Sequence, residues 1–157
     1  MLVIVSACSS ASGAPVTATG SVGETTLDAR DGAAQHLFGG GVAIAIVDFG
    51  GACSGMQANG NALNLLIDPG DGNTLGPATF ELKSLHAAAA FTRLDDACVP
   101  SESGAATGGT VTIDAVSSSS IRGSYDVTFR DGALRGTFDV PFCGTSSNDS
   151  GHPICKS

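Results

Sequence analysis

An all-β fold, an antiparallel β-sandwich or squat barrel of about nine strands with a C-terminal meander, is what this 157-residue sequence predicts. Three observations carry the prediction. From residue 16 onward, short apolar or alternating runs are separated by clusters of Gly, Asp, Asn and Pro. No stretch is convincingly helical. The 22 glycines stand beside a 42% hydrophobic content, which suits a folded, turn-rich chain rather than a disordered one. The length fits a single β domain over residues 16–157.

The first candidate pair is 16–22 with 25–29, joined around Gly23-Glu24. Residues 42–49 (Val-Ala-Ile-Ala-Ile-Val-Asp-Phe) are apolar at nearly every position, so a central strand covered on both faces is expected. Residues 63–68 place Leu63, Leu65 and Ile67 on one face, and Asp68-Pro69-Gly70-Asp71-Gly72-Asn73 ends the run with turn chemistry. Residues 78–83 alternate Ala78, Phe80 and Leu82 inward with Thr79, Glu81 and Lys83 outward. Residues 86–95 contain four consecutive alanines, good helix formers, but read better as a strand beside their neighbours. One helical turn fits near Cys53 within 50–60.

The meander allows a register to be derived. A strand at 110–116 turns Val111, Ile113 and Ala115 inward, and Ser117 to Ser120 form a polar hairpin loop. Residues 121–129 and 134–142 then carry their apolar side chains at odd and even positions respectively. A two-residue Asp131-Gly132 turn of type I′ sets Phe129 opposite Leu134, Val127 opposite Gly136, Tyr125 opposite Phe138, Gly123 opposite Val140 and Ile121 opposite Phe142. Each glycine facing a larger residue leaves space for a ring or a sharp bend.

The N-terminal segment points to export. Val5-Ser6-Ala7-Cys8 fits a bacterial lipobox, in which small residues admit the signal peptidase and the Cys8 thiol takes the lipid. Residues 1–7 read as the remnant of a lipoprotein signal peptide. Only residues 2–5 are apolar ahead of the small ones and no Lys or Arg precedes them, so the expected start lies within a longer leader. Residues 8–15 are small and patternless, as in a flexible tether. Ser9 favours sorting to the outer membrane. Setting Cys8 aside leaves Cys53, Cys98, Cys143 and Cys155, an even set expected to form two disulfides in an oxidising compartment. Spacing favours a short Cys143–Cys155 loop with Cys53 joined to Cys98, although four cysteines allow three connectivities.

Gly-Thr-Val-Thr-Ile at 109–113, Arg-Gly-Ser-Tyr-Asp-Val-Thr-Phe at 122–129 and Arg-Gly-Thr-Phe-Asp-Val-Pro-Phe-Cys ending at Cys143 resemble the C-terminal half of small predicted lipoproteins of myxobacteria and related Gram-negative bacteria. The resemblance implies an envelope location and a β architecture. It lends no activity.

Chemistry is sparse. A net charge of −8 with scattered cations removes the electrostatic footprint of a nucleic-acid binder. His36, His86 and His152 lie in no nucleophile elbow or zinc-protease context, and no catalytic residue is assigned. Asp68, Asp71, Asn73 and Glu81 have calcium-type oxygens but lack EF-hand spacing, and read better as a solvated turn. Cys143, His152 and Cys155 would leave a zinc ion one ligand short, so disulfides take precedence and no metal or cofactor is implied. Gly39-Gly40-Gly41 precedes a strand, the wrong setting for a phosphate loop. The expectation is a lipid-anchored protein of the outer membrane, attached through its lipid, with a non-catalytic binding or structural role toward a protein or glycan. The competing expectation is a small-ligand carrier or hydrolase with its site inside the β domain, lined by Tyr125, Phe138 and Phe80.

Overall fold

The computed structural model describes residues 16–144 and the backbone of residues 155–156. Residues 1–15, over which the lipobox and tether are expected, and His152 lie outside the described residues. The chain forms β1 (Thr19–Val22), β2 (Thr25–Thr26), β3 (Asp31–His36), β4 (Val42–Val47), a 3₁₀ turn (Ala52–Ser54), β5 (Met56–Gln57), β6 (Asn61–Ile67), β7 (Ala78–Glu81), β8 (Ala87–Leu94), β9 (Pro100–Ala105), β10 (Gly108–Val116), β11 (Ser120–Phe129), β12 (Gly132–Pro141) and β13 (Cys155–Lys156). They build an open antiparallel sandwich, not a closed barrel. Sheet A has the order β2-β1-β12-β11-β10-β7, sheet B the order β3-β4-β6-β8-β9, and β13 pairs with β5 alone.

Alternation drives the packing. Val42, Ile44 and Ile46 of β4 and Leu63, Leu65 and Ile67 of β6 turn toward sheet A, where they meet Val111, Ile113, Ile121, Val127, Leu134, Phe138 and Val140. All of these are essentially sealed from solvent. At roughly 25 cal/mol per Å² of apolar area, this shared layer is the main stabilising term. The β11–β12 ribbon crosses sheet B from β8, where Phe129 meets Phe91 edge-on, to β3, where Val140 lies against Gly32.

The meander keeps the expected faces but not the expected register. Phe129 pairs with Gly132, Val127 with Leu134, Tyr125 with Gly136, Gly123 with Phe138 and Ile121 with Val140. The shift is two residues, an even number, so every side chain stays on its predicted face. The loop is Arg130-Asp131, and neither residue has positive φ, so the type I′ turn is replaced. Gly132 serves β1 instead: a Cβ there would fall on the Ser21 carbonyl oxygen. Tyr125 and Phe138 each lie over the glycine opposite. A bulge between Ile113 and Ala115 pairs Ala115, expected inward, with Arg122, and sets Val116 opposite Ile121 and against the core. Phe142 leaves sheet A, bridges to Ala34 and stacks on the His36 ring at 3.9 Å.

Strands β3, β5, β9 and β13 exceed the expected nine; β5 and β13 have two residues each, which leaves β3 and β9 as the longer additions. Both are edges of sheet B, and their sequences, Asp-Gly-Ala-Ala-Gln-His and Pro-Ser-Glu-Ser-Gly-Ala, lack branched or aromatic residues of the kind that mark a central strand. Buried Gly32, Ala33 and Ala34 in β3, and the almost wholly exposed β9, show no alternation of large apolar residues. In β7, also an edge, Ala78 is exposed and Phe80 only half-buried, while Leu82 beyond it is buried.

Candidate binding groove

The outward faces of the two sheets differ in chemistry. Sheet A presents hydroxyls and paired charges: Thr17 to Thr137 at 2.9 Å, Thr79 to Thr112 at 3.0 Å, and Arg135 to Asp126 at 3.0 Å. Sheet B presents alanines. In β4 the small residues Ala43 and Ala45 alternate with Val42, Ile44 and Ile46, and in β8 Ala88 and Ala90 alternate with Ala87, Ala89 and Phe91. The expectation that β4 is covered on both faces therefore holds in part. Ala43 and Ala45 remain half-exposed.

Segment 48–60 folds back over one half of this outer face and buries Val47, Phe49 and Ala62 in a small second core with Ala45 and Ala52. The other half stays open as a groove of about 520 Å³, a volume typical of small-molecule sites. Ala33, Ala43 and Ala45 form its floor, Leu66 closes one side, and Met56 with the Cys53–Cys143 disulfide forms the wall. Gln35, Asn64 and Ser54 supply the polar groups. Among the described residues, no lining side chain carries a charge. Asn64 Nδ2 donates to Thr92 Oγ1 at 3.4 Å, which orients the amide along the floor.

The wall is held at β3. Asp31 Oδ2 accepts from the amides of Gly51 at 2.7 Å and Ala52 at 3.0 Å, while its Oδ1 accepts from Gly32 N at 2.8 Å. The Cys143 amide donates to the Ala34 carbonyl at 2.9 Å. Both cysteines thus converge on one edge strand and join across 90 residues. This replaces the expected Cys143–Cys155 and Cys53–Cys98 pairing. The spacing argument favoured the shorter loop, whereas the Asp31 and Ala34 contacts bring the distant partner closer. Cys98 is disulfide-bonded as well. A bonded Cys143 offers no thiolate, so the Cys143, His152 and Cys155 zinc set loses a ligand.

The remaining sequence candidates are separated. Asp68 Oδ1 accepts from Gly70 N at 2.8 Å and Asn73 Nδ2 donates to the Pro69 carbonyl, the bonding of a turn, while Glu81 sits in sheet A. Asp71 is exposed in that turn. His86 Nδ1 bonds the main-chain oxygen of Asp68 at 3.1 Å, and His36 lies on Phe142. Ser117 Oγ accepts from the amides of Ser119 and Ser120, closing the polar loop. Tyr125 and Phe138 are buried between the sheets, with Phe80 packed against that core, on the opposite side of sheet B from the groove.

Sequence reasoning missed the groove. The signal was present in the alternation of small with branched residues in β4, but a run of Ala and Ile reads as apolar throughout. Asp31 as a clamp, and segment 48–60 as a partial third layer, carry no local signature. No protein-family model, curated protein or solved structure matches the chain, so the reading of this groove rests on its own residues.

Proposed function

We propose that this is a non-catalytic binding module of a bacterial envelope, held at the outer membrane by acyl chains on Cys8, whose groove on sheet B takes an uncharged, largely apolar ligand of small-molecule size. The observation that carries the reading is a groove whose described lining residues carry no charge, in a chain of net charge −8. Burying an unpaired charge against alanine would be costly, so a neutral ligand is favoured, with its polar atoms met by Gln35, Asn64 and Ser54. The Cys53–Cys143 bond supports an oxidising compartment, where disulfides persist. Several acyl chains at about 0.8 kcal/mol per buried methylene would give lasting attachment.

Purification from detergent extracts with intact-mass analysis tests both parts. The expected result is an acyl mass on Cys8, together with a neutral compound that is lost from the groove-filling variant Ala45→Leu. A chain with no acyl mass and five free thiols would overturn the location, and a ligand retained by Ala45→Leu would overturn the groove.

A further inference from the structure

Beside the groove, one end of sheet B exposes four large apolar side chains: Phe38 at 108%, Leu85 at 95%, Leu66 at 47% and Leu37 at 39% relative exposure. Their exposure is built into two loops. Between β3 and β4, Leu37 N donates to the Gly41 carbonyl at 2.8 Å and Gly39 and Gly40 take φ of 88° and 89°, which leaves Phe38 projecting from the loop. Between β7 and β8, Leu82 is buried, Lys83 adopts φ 65° and Ser84 Oγ accepts from His86 N at 3.1 Å, so that Leu85 points outward. Leu37, Leu66 and Leu85 line a single shallow hollow. Exposed apolar residues scattered singly need no explanation, but a cluster on one end of a domain marks an interaction surface.

We infer that this tip inserts into a zwitterionic lipid surface. Two protruding side chains on separate loops leave gaps against a flat, rigid partner, whereas headgroups and acyl chains flow around them. Charge selects the lipid. Lys83 is the cation near Leu85 in the chain, Asp68 and Asp71 stand in the adjoining loop, and the chain carries −8 overall, so an anionic surface repels it. Apolar burial, not counter-ion attraction, drives the contact. The inference is independent of acylation and of the groove's ligand.

The test uses the full chain with Cys8→Ser, so that no lipid attaches there. The sequence has no tryptophan, which makes Phe38→Trp a unique reporter. On phosphatidylcholine vesicles the emission of this variant shifts to the blue and is quenched by brominated lipid, while Val99→Trp, on a loop at the other end of sheet B, does not respond. Phe38→Ser with Leu85→Ser lowers vesicle partitioning about tenfold or more, as expected for losing two buried apolar groups. Adding phosphatidylglycerol weakens binding. Circular dichroism and an intact Cys53–Cys143 bond establish that each variant is folded. Unshifted emission from the Phe38→Trp variant, an equal response from the Val99→Trp variant, or tighter binding to anionic vesicles overturns the inference. A shift in Phe38→Trp that follows protein concentration without vesicles overturns it in favour of a second copy as occupant.

Discussion

The phenol of Tyr125 donates a hydrogen bond to the main-chain carbonyl of Thr17 at 2.8 Å, directly over Gly136. This contact ties the incoming N-terminal segment to the middle of sheet A. A Cβ on residue 136 would meet both the Thr17 carbonyl and the Tyr125 oxygen, so the bond exists only because residue 136 is glycine.

Burial raises the pKa of Tyr125 well above its ordinary value of 10.0. Above pH 10 the unfolded chain loses this proton while the folded chain keeps it, so stability falls as pH rises from that point. Tyr125 is the sole tyrosine, and tyrosinate absorbance should therefore appear only as the protein unfolds. Tyr125→Phe should cost about 1 kcal/mol at neutral pH and flatten the alkaline decline in denaturation midpoint. Free titration of the phenol near pH 10 in the folded state would contradict the burial argument.

Gly136→Ala should destabilise by about 2–3 kcal/mol, because backbone rather than a flexible side chain blocks the new methyl. Gly104→Ala is the control. Nothing lies within 4 Å of its Cβ position, and it should be neutral or stabilising by about 0.5 kcal/mol. Urea denaturation of the pair measures the difference.

Closing a loop with a sequence separation of 90 residues gives the Cys53–Cys143 bond a large entropic effect. Cys53→Ser with Cys143→Ser should lower stability by about 2–5 kcal/mol. Non-reduced peptide mapping should recover Cys53 linked to Cys143 and a separate linked peptide containing Cys98. A Cys143–Cys155 linkage would restore the short-loop pairing.

Leu65 and Leu66 are adjacent in β6 and opposite in fate, one sealed between the sheets and one 47% exposed. Leu65→Ala should cost about 3 kcal/mol through loss of burial and the cavity it leaves. Leu66→Ala should change thermal stability by less than about 0.5 kcal/mol. Equal effects would mean that segment 48–60 or another cover extends over the groove.

Much of this fold was readable because period-two burial is a local property. The faces of β6, β11 and β12 follow from their alternation, and the hairpin slip of two residues left them intact. Turn chemistry was less reliable: Asp131-Gly132 suits a type I′ turn, but Gly132 was needed where β1 approaches. Strands β3 and β9 escaped notice because what β3 buries is glycine and alanine, and β9 buries almost nothing. The groove escaped because its floor is alanine, which reads the same in a core as on an open face.

Alone, the order of residues determined the class of fold and the inward and outward sets of β6, β11 and β12, since period-two burial depends on neighbours a few positions apart. Which cysteines join, which turn closes the meander and which sheet face stays open were decided only in three dimensions. Those outcomes depend on contacts such as Asp31 with Gly51, Ala34 with Cys143 and Ser21 with Gly132, between residues that lie far apart along the chain.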